Sequence, residues 1–320
     1  MLLYIAGIVL GFVLLLKGGD YLVEGAVSIA RLARLSPMVI GLTVVGFGTS
    51  APELLVSVQA ALANSPGICI GNVVGSNIAN IGMILGITGL ICTIPAKHST
   101  LCIDMPFMLL SVFLMVVVGL SGTIYRFEGL FFVALLMGFV AWQVKNSRKH
   151  PDPDAENSLS GFRQHNIWVA ILIVLASCAA LAIGAKMLIY GASGTARWIG
   201  EILDADPKEM ERIIGLTIVA AGTSMPELFA SVMAARRGQT DMAIGNIIGS
   251  ITFNILSVVG LSAIICPIHN TDAGFISDYA VMAFISVLLY FFILTKNKLS
   301  RWEGLVLLLL YIAYLVWLCV

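Results

Sequence analysis

Two glutamates occupy equivalent positions in this chain, each in the middle of a long apolar stretch. Glu53 lies within the stretch 37–62, and Glu227 lies within 213–235. A carboxylate at the centre of a membrane-spanning helix costs a few kcal/mol or more. One such acid could be an interior residue that is hydrogen-bonded to a neighbour. A duplicated acid in duplicated polar surroundings instead indicates a functional site, and the chemistry that two buried carboxylates favour is cation binding.

Each glutamate follows the same motif, Gly-Thr-Ser-x-Pro, at residues 48–52 and 222–226. Proline has no N–H to donate, and its ring clashes with the carbonyl four residues earlier, which here belongs to Gly48 or Gly222. Glycine lets the backbone unwind there at little steric cost. The motif therefore predicts a broken helix with free carbonyls and a new half-helix that begins just before the glutamate. A plain proline kink used for packing is the alternative.

Hydroxyl and amide side chains accompany the glutamates at helical spacing. Residues four apart share one face of a helix. Hard cations such as Ca²⁺ take about six to eight oxygen ligands, and no imidazole or thiol lies nearby to attract zinc or copper. The sequence thus predicts an oxygen-lined site for a hard cation. The pairs at this spacing are Thr49 and Glu53, Thr223 and Glu227, Ser76 and Asn80, and Ser250 and Asn254.

The composition places these residues in a membrane. Of the 320 residues, 59% are apolar and only 11% are charged, against about 45–50% and 25% in soluble domains. A soluble globule is therefore excluded, and the balance of 18 basic and 18 acidic residues provides no basic field for nucleic acid. The apolar stretches do not alternate as barrel strands would. They predict an all-α polytopic membrane protein with ten transmembrane helices, near 2–22, 37–62, 67–91, 103–121, 128–144, 167–190, 213–235, 241–265, 275–295 and 302–319.

The two halves of the chain are copies of one another. Residues 41–80 align with 215–254 without gaps at an offset of 174, and 20 of the 40 positions are identical. At the same offset Asp104 aligns with Asp278. Ordered matches of Thr, Ser, Pro, Glu and Asn indicate an internal duplication, with an insertion near 204–211. The predicted organisation is a first five-helix repeat over 1–144, a polar linker over 145–166 and a second repeat over 167–320.

An odd number of spans in each repeat inverts the second copy relative to the first. If the N-terminus lies outside the cytoplasm, the inside connections carry twelve basic residues and the outside connections carry four. This asymmetry predicts that both termini lie outside and that the linker is cytoplasmic. Two GxxxG pairs, Gly71/Gly75 and Gly245/Gly249, predict close helix packing.

The paired GTSxPE and GNxxGS motifs in two inverted halves resemble the α-repeats of the sodium/calcium exchanger family, within the calcium/cation antiporter superfamily. The short prokaryotic members are the most similar, and the resemblance covers nearly the whole chain. It implies a bacterial or archaeal inner-membrane antiporter that exchanges three Na⁺ for one Ca²⁺ by alternating access at a shared mid-membrane site. The long first and sixth spans would slide over the other eight. The partners implied are these ions and the lipid bilayer, with no cofactor, nucleic acid, protein partner or enzymatic activity.

The resemblance also implies a role for each site residue. Glu53 and Glu227 would be the shared Ca²⁺ and Na⁺ ligands. Several relatives have an aspartate at one of the two mid-membrane amide positions, whereas this chain has asparagine at both, which disfavours the potassium-dependent branch. The remaining ligands implied are the assisting Thr49 and Thr223, the hydroxyls of Ser50, Ser76, Ser224 and Ser250 at flanking sodium sites, the backbone carbonyls of Gly46 and Ala220, and the amides of Asn80 and Asn254.

Other functions remain open on the same residues. A proton-coupled or potassium-dependent cation exchanger would use the same fold, with a different counter-ion. A passive cation channel is disfavoured by the strict duplication and the broken helices. An intramembrane enzyme with the two glutamates as acid and base lacks a nucleophile–base pair and a metal-ligating histidine.

Overall fold

The computed structural model describes residues 1–63, 65–149, 162–202, 220–269 and 274–319. Nearly all of these residues are helical, and four strands of two residues each lie in the connections. The helices are α1 (Leu2–Ala33), α2 (Pro37–Thr49), α3 (Ala51–Leu62), α4 (Pro66–Ile91), α5 (Thr100–Leu120), α6 (Arg126–Lys149), α7 (Ile167–Ile202), α8 (Ala220–Thr223), α9 (Met225–Arg236), α10 (Thr240–Ile265), α11 (Gly274–Lys296) and α12 (Arg301–Cys319), and the strands are β1 (Ile94–Pro95), β2 (Thr123–Ile124), β3 (Ile268–His269) and β4 (Lys298–Leu299).

The described helices confirm the all-α membrane fold. Eight of them are long and apolar enough to cross a bilayer, and α2 and α3, which meet at a bend of 47°, are together long and apolar enough for a ninth span. The remaining predicted span, 213–235, begins outside the described residues and continues through α8 and α9. The central helices α4 and α10 are the most enclosed by protein, so they form the core against which the outer helices pack.

Several helices continue beyond the apolar stretches that predict them. Helix α1 extends past residue 22 to Ala33, and α7 extends past 190 to Ile202. Helix α6 continues to Lys149, past residue 145, the predicted start of the linker. Hydropathy reports only the part of a helix that lies in hydrocarbon, whereas the helical backbone hydrogen bonds continue beyond the apolar stretch. Residues 150–161 of the linker and the predicted insertion near 204–211 lie outside the described part of the chain.

Two small β-ladders connect the halves. Strand β1 pairs antiparallel with β4, and β2 pairs antiparallel with β3. By the repeat alignment, β1 corresponds to β3 and β2 corresponds to β4. Strand β1 therefore pairs with the counterpart of β2, and β2 pairs with the counterpart of β1. Neither strand pairs with its own counterpart. This is the pairing that two halves of opposite orientation require, so it supports the inverted-repeat prediction.

Glycines allow the closest helix contacts. A Cβ on Gly249 would lie 2.3 Å from the carbonyl oxygen of Leu42, and one on Gly245 would lie 2.6 Å from that of Met38. Helix α10 therefore packs directly on the backbone of α2, which confirms the packing prediction for this GxxxG pair. The segment that would correspond to residues 38–42 in the second half lies outside the described residues, so the prediction for the Gly71/Gly75 pair is still a prediction.

Candidate cation site

The helix breaks at each proline motif, as predicted. Ser50 separates α2 from α3 with φ −83° and ψ 4°, and Ser224 separates α8 from α9 with φ −89° and ψ 7°. The proline is the second residue of each new helix, where its missing N–H has no intrahelical partner to lose. Glu53 and Glu227 each lie one residue later, so both acids occupy the first turn of a half-helix.

The role predicted for the glycines of this motif is wrong. Gly48 and Gly222 both lie within helical segments, one residue before the terminal threonine. A Cβ on Gly48 would lie 2.6 Å from Cys178 Sγ, and a Cβ on Gly222 would lie 2.2 Å from Ile189 Cγ1. At both positions the missing Cβ lets the broken helix pack closely against side chains of α7, and the backbone does not unwind there.

The two carboxyl groups are buried in the protein, and one of them is hydrogen-bonded across the two halves of the chain. Glu53 and Glu227 are each 1% exposed. The Oε1 atom of Glu227 accepts a hydrogen bond from Ser50 Oγ at 3.3 Å. Among the described residues, neither carboxylate oxygen of Glu53 nor Oε2 of Glu227 has a hydrogen-bond partner. A buried carboxylate that lacks a compensating partner costs several kcal/mol. A cation bound between Glu53 and Glu227 would supply the compensating charge.

Neutral oxygens from both halves meet at Thr49. Its Oγ1 lies 3.5 Å from Ser250 Oγ and donates to the carbonyl oxygen of Gly46 at 3.3 Å. Asn246 Oδ1, also at 3.3 Å, is the other acceptor within reach of the same hydroxyl proton. Three of the predicted ligands, from α2 and α10, therefore lie together. The Gly46 carbonyl also accepts a hydrogen bond from the Ser50 amide at 3.0 Å.

Both predicted amide ligands begin a π-helical turn, over Asn80–Leu85 in α4 and Asn254–Val259 in α10. Helix α3 packs against the turn in α10, and α9 packs against the turn in α4. Each glutamate helix thus contacts the asparagine turn of the other half. The Nδ2 of Asn254 donates to Asn77 Oδ1 at 3.2 Å, whereas neither amide atom of Asn80 has a partner among the described residues. π-Helical turns of this kind often mark functional sites.

The remaining predicted ligands lie around the same breaks. Ser76 is buried in α4 and lines a cavity together with Thr223. Ser224 is buried, and its hydroxyl has no hydrogen-bond partner in the part of the chain that the structure describes. Ala220 is the first residue of α8.

Comparisons with known proteins identify the family. The sequence profile described as sodium/calcium exchanger protein matches residues 3–145 and 169–320. The sodium/calcium exchanger MaX1 of Methanosarcina acetivorans is 36% identical, and the match covers 97% of this chain and 96% of that protein. A solved structure of the sodium-calcium exchanger NCX_Mj, soaked with Na⁺ and Ca²⁺, has a TM-score of 0.81 and 31% identity, and the match covers 99% of this chain and 98% of that one.

This chain belongs to the sodium/calcium exchanger family. It is therefore an integral membrane cation antiporter and not an enzyme. The inner membrane protein YrbG of Escherichia coli is also similar, with 31% identity over 90% of this chain and 88% of that protein. The resemblance drawn from the two motifs is confirmed over the full length of both repeats.

Two residues of this exchanger site are not among the predicted ligands. Asn72 Nδ2 donates to the carbonyl oxygen of Glu53 at 3.1 Å and to Ser57 Oγ at 2.9 Å. Asn246 Nδ2 makes the equivalent bonds to the carbonyl oxygen of Glu227 at 3.3 Å and to Ser231 Oγ at 2.8 Å. Each asparagine therefore connects the half-helix that carries a glutamate to the following span, α3 to α4 in the first half and α9 to α10 in the second. The signal was present in the sequence, because all four of these Asn and Ser residues are identical in the repeat alignment.

The site's formal charge is low for a metal centre. Among the described residues, no three His, Cys, Asp or Glu side chains come together to hold a metal ion. Two carboxylates and several neutral oxygens bind a hard cation less tightly than a cage of acids would. Such moderate binding suits transport, because a carried ion must also leave.

Proposed function

We propose that this antiporter exchanges Na⁺ for Ca²⁺ by alternating access at one mid-membrane site centred on Glu53 and Glu227. The observation that carries the proposal is the pair of buried carboxylates, since three of their four oxygens have no hydrogen-bond partner among the described residues. Two carboxylates neutralise one Ca²⁺. Hydroxyl, amide and carbonyl oxygens from both halves complete the set that Ca²⁺ and Na⁺ prefer. The names of MaX1 and NCX_Mj as sodium/calcium exchangers add support.

Competition for the same two carboxylates couples the ions. Because Ca²⁺ and Na⁺ both need Glu53 and Glu227, the binding of one ion lowers the affinity of the site for the other. An empty site leaves two desolvated negative charges side by side, which is energetically expensive. The empty protein therefore resists the change of facing side, and uncoupled leak is suppressed. The full ligand set that we propose adds Thr49, Thr223, Ser50, Ser224, Ser76, Ser250, Asn80, Asn254 and the carbonyls of Gly46 and Ala220.

The inverted repeats supply two equivalent routes to the site, and the protein opens one at a time. The excess of basic residues in the connections on one side supports an orientation with both termini outside the cytoplasm, in the plasma membrane of a prokaryotic cell. Helices α1 and α7, with 32 and 36 residues, are the elements that move against the remaining core.

The test is flux of radiolabelled Ca²⁺ in proteoliposomes of the purified protein. An outward Na⁺ gradient should drive Ca²⁺ uptake, whereas a pH gradient or a K⁺ gradient alone should not. Uptake driven by pH would assign a proton-coupled exchanger, and uptake with no counter-ion gradient would assign a channel.

The glutamate variants test the site itself. Glu53→Gln and Glu227→Gln should each abolish Na⁺-driven uptake, since each removes one of the two charges that balance Ca²⁺. Glu128→Gln is the matched control, because Glu128 caps the start of α6 by accepting from the Tyr125 amide at 2.7 Å and lies outside the site. Flux like that of the unmodified protein from either site variant would refute the assignment.

A further inference from the structure

A second pair of acids is duplicated in the repeats but has no part in the central site. Asp104 in α5 and Asp278 in α11 align at the same offset as the two glutamates. Each lies in the fifth position of its helix, about 6 Å along the axis from the first residue. Because the repeats are inverted, the two positions lie near opposite faces of the membrane. A carboxylate within a span is a functional candidate by its cost alone.

Asp278 lines a cavity that contains two residues of the proposed ion site. The cavity has a volume of about 250 Å³ and lies between α4, α8, α11 and α12. Its lining includes Ser76 and Thr223 at one end and Leu318, near the end of α12, at the other. Ser76 is ten residues into α4, or about 15 Å along the axis, so the cavity extends from near the membrane surface towards the central site. Asp278 is the one carboxylate among the described lining residues.

Its counterpart is enclosed. Asp104 is 3% exposed, and it accepts a hydrogen bond from Gln143 Nε2. The structure therefore has an open cavity beside one acid of the pair and close packing around the other. This is the asymmetry that two equivalent routes would show when only one of them is open.

The side chains of Tyr314 and Gln143, which donate hydrogen bonds to the two acids, are not duplicated. Tyr314 OH donates to Asp278 Oδ1 at 3.0 Å, and the residue equivalent to Tyr314 in the first half is Phe139. Gln143 corresponds to Leu318 in the second half. Both donors need only an acceptor oxygen, which asparagine also supplies. What the two positions share is the negative charge, so holding Tyr314 or Gln143 does not account for an acid at both of them.

We propose that Asp278 and Asp104 are cation-binding positions on the two access routes, one for each face of the membrane. Each carboxylate attracts hydrated Na⁺ and Ca²⁺ into its route and holds them before they reach Glu53 and Glu227. The inference rests on the proposed exchange function, and it adds a second, peripheral site to each route. The attraction is electrostatic, so it acts about twice as strongly on Ca²⁺ as on Na⁺ and weakens at high ionic strength.

The experiment uses right-side-out and everted membrane vesicles that contain the full chain. In each vesicle type, the initial rate of exchange is measured as a function of the ion concentration outside the vesicle. Asp278→Asn keeps an acceptor oxygen for Tyr314 and removes the charge. It should raise the apparent KM by about three-fold for Na⁺ and about ten-fold for Ca²⁺ in one vesicle type, with the maximal rate and the other vesicle type unchanged. Asp104→Asn should produce the same shift in the opposite vesicle type.

Tyr314→Phe is the matched control, since it removes the hydrogen bond and keeps the carboxylate, and its KM should equal that of the unmodified protein. Asp278→Glu should restore the KM, and Asp278→Ser replaces Asp278→Asn if that variant fails to accumulate. The proposal is overturned if the charge-removing variants shift KM on both faces, on the same face or on neither, or if Tyr314→Phe reproduces the effect. Absence of exchange by the unmodified protein would instead count against the proposed function.

Discussion

At the scale of single residues, Asn72 and Asn246 make equivalent hydrogen bonds in the two halves of the exchanger. Each amide donates to the backbone carbonyl of a glutamate and to a serine four residues further on. The glutamate is thereby fixed through its main chain, which leaves its side chain available for an ion. Asn246 goes further, because its Oδ1 also accepts from Thr49 of the other half. It therefore connects the two sets of ligands across the repeat boundary.

This connection predicts a difference between Asn246→Ala and Ser231→Ala. The first variant removes the hydrogen bonds of Asn246 with the Glu227 carbonyl, the Ser231 hydroxyl and the Thr49 hydroxyl, at about 0.5–1.5 kcal/mol for each bond, and it removes the side chain that connects Thr49 to the Glu227 half-helix. It should lower the Tm in detergent and raise the KM for Ca²⁺ several-fold. Ser231→Ala loses a single hydrogen bond, so it should lower the Tm slightly and leave the KM unchanged. Equal KM values for the two variants would show that Asn246 has only a packing role.

The sequence singles out the two central glutamates because duplication doubles the signal. Glu53 and Glu227 stand out as acids in apolar stretches, and the proline after each serine correctly predicts the helix break. The reason for glycine at positions 48 and 222 was not predictable. A missing Cβ is equally compatible with an unwound backbone and with a close neighbour, and only the positions of Cys178 and Ile189 decide between the two.

At the scale of elements, the site depends on how closely α10 approaches α2. The predicted GxxxG pair brings these backbones together, and Ser250 follows Gly249 directly in the chain, so the same contact places its hydroxyl 3.5 Å from Thr49 Oγ1. Element types and the central portions of the spans follow from hydropathy. The two-residue strands do not, because two residues carry no periodicity, and their pairing depends on contacts between distant parts of the chain.

Gly249→Ala tests this contact. The new methyl group would lie 2.3 Å from the Leu42 carbonyl oxygen and 2.7 Å from the Leu42 Cα, so α10 must move away from α2. Overpacking of this kind costs about 1–3 kcal/mol and separates Ser250 from Thr49. We expect a lower Tm and a large loss of Na⁺-driven Ca²⁺ uptake.

Gly138→Ala is the control for that variant, since a Cβ on Gly138 in α6 meets none of the described atoms within 4 Å. It introduces the same methyl group into a helix of the same protein. Its Tm and uptake should equal those of the unmodified chain. Normal uptake by Gly249→Ala would contradict the dependence of the site on this helix contact.

At the scale of the whole molecule, the charge of the site and the symmetry of the repeats together determine what crosses the membrane. In the proposed exchange, Glu53 and Glu227 are the acids of the central site, and the amide positions contribute no charge because both are asparagine. A protein loaded with one Ca²⁺ would then carry a neutral site across the membrane. Loaded with three Na⁺, the number that the resemblance implies, it would carry one net positive charge, so exchange at this ratio would be electrogenic.

A membrane potential should consequently shift the equilibrium of exchange. One net charge per cycle corresponds to about 2.3 kcal/mol at 100 mV, or about 40-fold in the ratio of internal to external Ca²⁺. With equal Na⁺ on both sides of proteoliposomes, an inside-positive potential set with K⁺ and valinomycin should raise Ca²⁺ accumulation by about that factor, and an inside-negative potential should lower it. Because positive charge leaves the vesicle as Ca²⁺ enters, the sign of the effect reports the direction of net charge movement. If Ca²⁺ accumulation does not depend on the potential, two Na⁺ are exchanged for each Ca²⁺. That result would contradict a third sodium ion in this site.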